Sequence, residues 1–134
     1  MANIALVVAQ FNAAVTDQMA TTAEEAAAER NVTIVTTIEV PGVYDTPLAA
    51  DRVARKTSID AVAVVGAVVT GDTDHDAVIA DAVAEKLTDI SVERDCPITF
   101  GVSGPGMSGA EARERIDKGA EAVNAAADLV EVLP

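Results

Sequence analysis

The apolar run from residue 61 to residue 69 limits most strongly what this chain can fold into. It reads Ala-Val-Ala-Val-Val-Gly-Ala-Val-Val, without one polar side chain. A strand that is apolar on both faces must be covered on both faces, which is typical of the interior of a parallel sheet. A Gly- and Asp-rich segment, 71–74, follows, and then comes His75, the only histidine of the chain. The sequence predicts a buried strand that leads to His75 at the start of a helix, where open α/β sheets bind ligands.

Four repeats of a strand followed by a helix run along the chain. Val- and Ile-rich segments predict strands at approximately 3–9, 32–40, 60–69 and 97–102, and the segments between and after them predict helices at 13–30, 46–57, 75–89 and 108–132. This alternation predicts an α/β fold, a three-layer α/β/α sandwich with a four-stranded parallel sheet, flavodoxin-like in type. Residues 1–134 are expected to form a single domain, because no linker or low-complexity segment interrupts the pattern.

Three local sequence signals indicate where the predicted helices begin or break. Thr46 before Pro47 predicts an N-cap followed by a proline at the first helical position. Ser108 and Glu111 form the S-x-x-E pattern of a capping box. Gly119 lies inside the last helical segment, so we expect that helix to break there.

The charge balance restricts the partners. The chain contains nine Lys and Arg residues and 22 Asp and Glu residues, which gives a net charge of −13. Such a surface disfavours nucleic acids and anionic membranes as partners. The carboxylates are spread among periodic apolar positions instead of forming a disordered acidic tail, so the composition indicates the hydrated, salt-adapted surface of a halophilic protein.

Cys96 is the only cysteine, so no disulfide can form within the chain. We expect it to be a small buried residue in a protein of the reducing cytoplasm. No apolar run reaches the length of a membrane span, and the N-terminus lacks the basic region of a signal peptide. A soluble cytoplasmic protein is therefore expected.

The few aromatic residues are placed unusually. Phe11, Tyr44 and Phe100 each come at or just after the predicted end of a strand. Because the carboxyl ends of parallel strands share one edge of the sheet, we expect these three rings to converge there with His75. Aromatic faces bind planar rings by stacking, and an imidazole is a candidate proton carrier near neutral pH. A surface histidine and ordinary core aromatics remain the alternative interpretation of these residues.

The segment from Gly104 to Gly109 matches the G-x-G-x-x-G pattern of dinucleotide-binding loops, after a strand and before a helix. It lies in the last strand–helix unit, with no later strand to carry the acidic residue that binds the ribose. Asp128 has a suitable spacing but falls in a helix. A dinucleotide site is therefore disfavoured, whereas a tight loop beside a phosphate site stays open.

Four ordered motifs together carry a family resemblance. They are Phe11-Asn12, the segment Val40 to Pro47, the segment Gly66 to His75, and Phe100-Gly101 with Glu114-Arg115 later in the chain. Over its whole length the chain resembles the 6,7-dimethyl-8-ribityllumazine synthase family, and its segment 103–107 is similar to that of archaeal members. The resemblance implies a transferase of riboflavin biosynthesis that condenses 5-amino-6-(D-ribitylamino)uracil with 3,4-dihydroxy-2-butanone 4-phosphate, without a metal or organic cofactor. It also implies a homo-oligomer, either a pentamer or an icosahedral shell of sixty subunits.

The resemblance also implies roles for particular residues. His75 matches the proton donor and acceptor, and Phe11 matches the residue that stacks on the pyrimidine. Asp72 and Thr73 match the phosphate-binding positions. Phe100 and Arg115 match residues that a neighbouring subunit contributes, with Arg115 directed to the phosphate. The ring and the ribityl chain are held by positions matching Val43, Tyr44, Asp45, Ala67, Val68 and Val69.

Two other functions fit a similar fold. An archaeal-type riboflavin synthase is expected to lack the segment 71–75 found here. A shell protein that binds a flavin or lumazine without turnover would need neither the imidazole of His75 nor the guanidinium of Arg115. The presence of both residues favours the synthase.

Overall fold

A four-stranded parallel sheet forms the centre of the fold. The computed structural model describes residues 2–70 and 75–134. Strands β1 (Asn3–Ala9), β2 (Thr33–Val40), β3 (Ala61–Val69) and β4 (Ile98–Met107) pair in the order β2-β1-β3-β4. The predicted α/β fold with four parallel strands is confirmed. This order is doubly wound and changes direction between β1 and β3, which is where such sheets open a ligand crevice.

Helices cover both faces of the sheet. Helices α1 (Ala13–Arg30) and α5 (Lys118–Val132) pack on one face, and α2 (Thr46–Ala54) and α3 (His75–Arg94) pack on the other. The side chains of β1 alternate between the two layers, because successive residues of a strand point to opposite faces. Leu6 and Val8 belong to the core under α1 and α5, whereas Val7 and Ala9 belong to the core under α2 and α3. The predicted three-layer sandwich is therefore confirmed.

The all-apolar strand β3 is buried as its composition requires. Residues 61–68 are all buried, and only Val69 at the carboxyl end is partly exposed. The strand pairs with β1 on one side and with β4 on the other. Burial on both faces explains why the run needs no alternation of polar residues. The lone Cys96 is buried and free, as predicted.

The last strand and the last helix differ from the prediction. Strand β4 continues past residue 102 to Met107, which pairs with Val69 across an irregularity in the register. Gly104 and Gly106 take positive φ angles of 98° and 81°, so glycine allows the backbone to turn there without ending the strand. The prediction stopped the strand early because Gly and Pro usually mark its end.

The final helical segment breaks, but not at Gly119. The capping box of Ser108 and Glu111 is present and begins the short α4 (Gly109–Arg113), and residues 114–117 form a turn before α5. Gly119 lies in the first turn of α5, where an added Cβ would lie 1.8 Å from the carbonyl oxygen of Met19. The glycine therefore permits close packing of α5 against α1, a requirement that local sequence does not reveal.

The boundaries of α2 and α3, and the N-cap of α2, also differ from the prediction. Helix α2 ends at Ala54 instead of residue 57, and α3 continues to Arg94 instead of ending at residue 89. Thr46 is not an N-cap: it is the first helical residue, is fully buried, and its hydroxyl donates to the carbonyl oxygen of Val43 at 2.7 Å. Among residues 2–70 and 75–134, no helix is both long and apolar enough to cross a membrane.

Candidate active site

A cleft of about 290 Å³ opens at the carboxyl ends of β1 and β3. These are the two strands between which the sheet order changes direction. The lining residues come from the segments that follow β1 and β2, from the last three residues of β3, and from the first turns of α3. Those already predicted from the sequence are Phe11, Val43, Tyr44, Ala67, Val68, Val69 and His75, and those added by the structure are Asn12, Gly42, Asp76 and Ile79.

One side of the cleft is formed by Phe11, Val43 and Tyr44, here called the aromatic wall. The backbone N–H of Phe11 donates to the carbonyl oxygen of Pro41 at 2.8 Å, so the end of β1 is tied to the segment that carries Tyr44. Both rings are exposed, Phe11 to 70% and Tyr44 to 71%. Their faces are therefore available to a planar ligand, which aromatic side chains bind by stacking.

Val43 anchors the aromatic wall to the sheet. It is 5% exposed and packs in the core under α2 and α3. A Cβ at Gly66 would lie 2.7 Å from the Cγ2 of Val43 and 3.1 Å from the Cβ of Ala9, so a glycine at this point of β3 leaves the space that Val43 occupies. The aromatic wall is thus fixed by apolar packing at its base.

Asp45 does not line the cleft. Its Oδ2 accepts a hydrogen bond from the backbone N–H of Gly42 at 3.0 Å, and this contact closes the single 3-10 turn Val43–Asp45. The carboxylate borders a separate hollow with Val40, Pro41 and Leu48. Asp45 is therefore not one of the cleft-lining residues, and its contact with a ligand stays a prediction.

Asn12 joins two strand ends beneath the cleft. Its backbone is left-handed, with φ of 69°, and it immediately precedes α1. Its Nδ2 donates to the carbonyl oxygen of Ala67 at 3.3 Å. Asparagine tolerates this conformation better than most residues because its short polar side chain can form local hydrogen bonds. The site prediction omitted Asn12, although it belongs to the Phe11-Asn12 motif.

The other side of the cleft is lined by His75, Asp76 and Ile79 from the first turns of α3, here called the α3 wall. The α3 wall is attached to residues 104–106 near the end of β4, where the backbone turns at two glycines; these residues are here called the loop 104–106. His75 is the first residue of α3 and is exposed, whereas the next residue, Asp76, is only 9% exposed. The Oδ2 of Asp76 accepts a hydrogen bond from the backbone N–H of Gly106 at 3.0 Å. This contact joins the helix start to the end of β4 across thirty residues of sequence.

The surroundings of Asp76 stabilise its charged form. The hydrogen bond from Gly106 is the main reason that the pKa of Asp76 lies below its ordinary value, and the backbone N–H of Ala77 and the hydroxyl of Thr70 act in the same direction. Burial of the carboxylate opposes this shift of the pKa. A carboxylate that accepts several hydrogen bonds stays ionised in spite of limited access to water. No local sequence pattern predicts this contact of Asp76, because its main partner, Gly106, is distant along the chain.

Phe100 does not reach the cleft of its own chain. It is the third residue of β4, pairs with Val64 in the middle of β3, and is 36% exposed. The expectation that all three aromatic residues converge at one edge is therefore wrong for Phe100, because β4 is longer than predicted. Arg115 is exposed in the turn between α4 and α5, not well inside a helix, and it too is absent from the cleft lining.

The phosphate-binding prediction falls on Asp72 and Thr73, which lie outside the described residues. The loop 104–106 offers less to an anion than its glycine pattern suggests, because the N–H of Gly106 already donates a hydrogen bond to Asp76. No cluster of three or more His, Cys, Asp or Glu side chains able to hold a metal ion occurs in residues 2–70 and 75–134.

Comparison with known proteins gives one consistent result. The family model described as 6,7-dimethyl-8-ribityllumazine synthase matches residues 1–134. A protein of that name from Halorubrum lacusprofundi is 65% identical over 133 residues, which cover 99% of each chain. One from Halobacterium salinarum is 64% identical over 133 residues, covering 99% of this chain and 100% of the relative. One from Methanocaldococcus jannaschii is 41% identical over 133 residues, covering 99% of this chain and 94% of the relative.

Proposed function

Because this chain belongs to the 6,7-dimethyl-8-ribityllumazine synthase family, we propose that it condenses 5-amino-6-(D-ribitylamino)uracil with 3,4-dihydroxy-2-butanone 4-phosphate. The products are 6,7-dimethyl-8-ribityllumazine, inorganic phosphate and water. The observation that carries the proposal is a cleft at the switch point of the sheet that combines exposed aromatic rings with the sole histidine. This combination suits a reaction that joins a planar pyrimidine to a small ketone with several proton transfers.

The aromatic wall binds the pyrimidine in this proposal. Phe11 stacks on the ring, and Tyr44 closes the same side. The backbone groups around Val43 and those of Ala67, Val68 and Val69 hold the ring and the ribityl chain. Asp45 is absent from the cleft lining, and its Oδ2 accepts from the N–H of Gly42 at 3.0 Å, so its carboxylate reaches the ribityl hydroxyls through a shift or through a water. We therefore assign Asp45 to a contact that forms on binding.

The α3 wall carries the proton transfers. The amine nitrogen of the pyrimidine attacks the ketone carbon, the carbonyl electrons move to oxygen, and water leaves to give an imine. Loss of the proton from the hydroxyl-bearing carbon then expels phosphate with its bonding electron pair, and the resulting enol becomes a ketone by proton transfer. The second nitrogen attacks this ketone carbon, and a second water leaves as the ring closes. His75 takes the proton from the attacking nitrogen and returns protons to leaving oxygen atoms. Its exposed position at the start of α3, on the cleft, supports this role.

The phosphate site is proposed at Asp72 and Thr73, with the backbone N–H groups of the helix start as donors. Two acidic residues, Asp72 and Asp74, repel a phosphate in this segment, so a cation must offset them. We assign this to the guanidinium of Arg115, which can bind phosphate with two parallel hydrogen bonds. Lys118 is given no ligand role, and its Nζ lies 3.3 Å from the Oε2 of Glu121.

We propose that each active site is shared between two subunits of a homopentamer. Phe100 and Arg115 are both exposed and absent from the cleft of their own chain, which supports their delivery to a neighbouring one. A ring with head-to-tail contacts allows this arrangement, because every subunit presents one face to each side. Chains with His75→Ala and chains with Arg115→Ala, unfolded together and reassembled in equal amounts, should regain about a quarter of the wild-type activity. Mixed rings without any gain over the separate variants would contradict a shared site.

We also propose adaptation to high salt in the cytoplasm. The net charge of −13 and the two relatives from Halorubrum lacusprofundi and Halobacterium salinarum support this. Like charges in an assembly repel less when salt shortens the screening length to about 3 Å at 1 M. Sedimentation should show a smaller species at low salt than at molar salt. An oligomer of unchanged size at low ionic strength would contradict the salt requirement.

The direct test of the function is a mixture of the purified protein with the two substrates in molar salt, monitored by the absorbance of the lumazine. We expect formation well above the rate without protein. Omission of either substrate is the control, since both are consumed. If the protein binds the lumazine but the lumazine forms no faster than in buffer, the result would favour the non-catalytic binding protein instead.

A further inference from the structure

The start of α3 has an unusual attachment. Its first residue, His75, is exposed, while its second residue buries a carboxylate against the end of a different strand. Charged side chains are rarely buried unless they are paired or hydrogen-bonded, because removal from water is costly. Here the partner is the backbone N–H of Gly106, at 3.0 Å from the Oδ2 of Asp76. The burial therefore indicates a defined contact and not an incidental position.

The loop that receives this contact is itself fixed to the cleft. An added Cβ at Gly104 would lie 2.0 Å from the carbonyl oxygen of Val68, so the loop backbone lies directly on β3 where β3 lines the cleft. One residue beyond the loop, the carbonyl oxygen of Met107 accepts from the N–H of Thr70 at 2.7 Å. The loop 104–106 is thus a rigid extension of the sheet edge, and Asp76 connects the helix start to it.

We propose that Asp76 is a positioning residue that holds the imidazole of His75 in its reacting place by tying the first turn of α3 to the loop 104–106. The inference rests on the proposed proton-transfer role of His75. A misplacement of about 1 Å in a catalytic group can cost about a hundredfold in rate, so loss of the tie should lower turnover. Asp76 acts through His75 and contributes no contact to the substrate. The low pKa of its carboxylate agrees with a permanent hydrogen bond from Gly106.

The kinetic test compares Asp76→Ala, Asp76→Asn, His75→Ala and the double variant. Asp76→Ala should lower kcat by about tenfold to a hundredfold while KM changes by less than about threefold. Asp76→Asn keeps an oxygen that can accept from Gly106, so it should recover most of kcat. The double variant should lose no more kcat than His75→Ala alone, because residues that act through one another are not additive. Asp81→Ala, an exposed aspartate of the same helix, is the matched control and should keep wild-type kcat.

A second measurement, which does not depend on activity, tests the proposed role of Asp76 if Asp76→Ala folds poorly. Hydrogen exchange of a peptide that covers 104–108 reports the protection of the Gly106 N–H. Exchange of this N–H should be faster in Asp76→Ala than in wild type, and the acceleration should be smaller in Asp76→Asn. Exchange should be unchanged in Asp81→Ala. Full turnover in His75→Ala would overturn the proton-transfer role of His75. The exchange measurement would still report whether Asp76 holds the N–H of Gly106. Unchanged exchange, or losses of kcat that multiply in the double variant, would overturn the proposal for Asp76.

Discussion

The two sides of the cleft are built in opposite ways. The aromatic wall is fixed at its base by apolar packing, with Val43 buried against β3 where Gly66 leaves room for it. The α3 wall is fixed by a hydrogen bond between the buried carboxylate of Asp76 and Gly106. The aromatic wall presents large exposed rings, and the α3 wall presents the exposed imidazole of His75.

This difference suits a division of labour. Packing is non-directional and tolerates small shifts, which is adequate for stacking on a flat ring. Proton transfer depends on heavy-atom distances of about 2.6–3.2 Å, so it needs a group held by a directional contact. We therefore expect changes in the aromatic wall to affect binding most, and changes in the α3 wall to affect turnover most.

The largest effect is expected for His75→Ala. Turnover should fall by roughly a hundredfold to ten-thousandfold, the usual contribution of a general acid or base, while affinity for the lumazine changes by less than about twofold. Initial rates at saturating substrates measure the first quantity, and titration of the product measures the second. Glu85→Gln, an exposed change on the same helix, is the control. Full turnover across neutral pH would exclude His75 as the proton carrier.

Gly66→Ala should disturb the aromatic wall. Its new Cβ would lie 2.7 Å from the Cγ2 of Val43, so either Val43 or the strand must move. Overpacking of this kind costs about 1–3 kcal/mol, and we expect a loss of that size in the free energy of unfolding together with weaker product binding. Gly109→Ala is the matched control, because its Cβ would lie 3.9 Å from the Nη1 of Arg113. Urea titrations in constant salt compare the two, and equal stability of both variants would show that Val43 adapts freely.

A smaller effect is expected far from the cleft, where α2 and α3 are joined. Asp51 accepts from the Nε of Arg94 at 2.8 Å and from Arg55 at 2.6 Å. The hydrogen bond from Arg94 is the main reason that the pKa of Asp51 lies below its ordinary value of 3.8. Asp51→Asn should lower the free energy of unfolding by about 1 kcal/mol or less, without a change in turnover.

The sign of the pH dependence follows from the lowered pKa of Asp51. A carboxylate with a lower pKa in the folded state contributes stability above its unfolded pKa, and that contribution disappears as the pH falls through the folded value. The difference in stability between wild type and Asp51→Asn should therefore be constant from pH 5 to 7 and shrink below about pH 3.9. Asp89→Asn, on the exposed side of α3, provides the control. A difference that grows on acidification would contradict the ion pair.

The sequence predicted the regular parts of this molecule well because they depend on local patterns. The bounds of β1 and α1 were predicted to the residue, and the ends of β2 and β3 to within one residue. The apolar run of β3 and the capping box of Ser108 are signals that act over a few residues, and tertiary structure does not oppose them.

The errors have a common physical cause, which is contact between distant segments. Gly119 looks like a helix breaker, but it serves the approach of α5 to Met19. The glycines at 104 and 106 look like the end of a strand, but pairing of Met107 with Val69 extends β4 through them. Asp76 accepts a hydrogen bond from the backbone N–H of Gly106, thirty positions away. No local pattern reports such contacts, and the position of Phe100 was misjudged for the same reason.

The dissociation constant of the lumazine product, measured for Phe11→Ala beside His75→Ala, tests the division of labour most directly. Stacking on an aromatic side chain contributes about 1–3 kcal/mol per base, so Phe11→Ala should weaken product binding by roughly fivefold to more than a hundredfold. His75→Ala should leave the same constant within about twofold. Equal weakening by both variants, or a loss of affinity confined to His75→Ala, would contradict the assignment of binding to the aromatic wall and of proton transfer to the α3 wall.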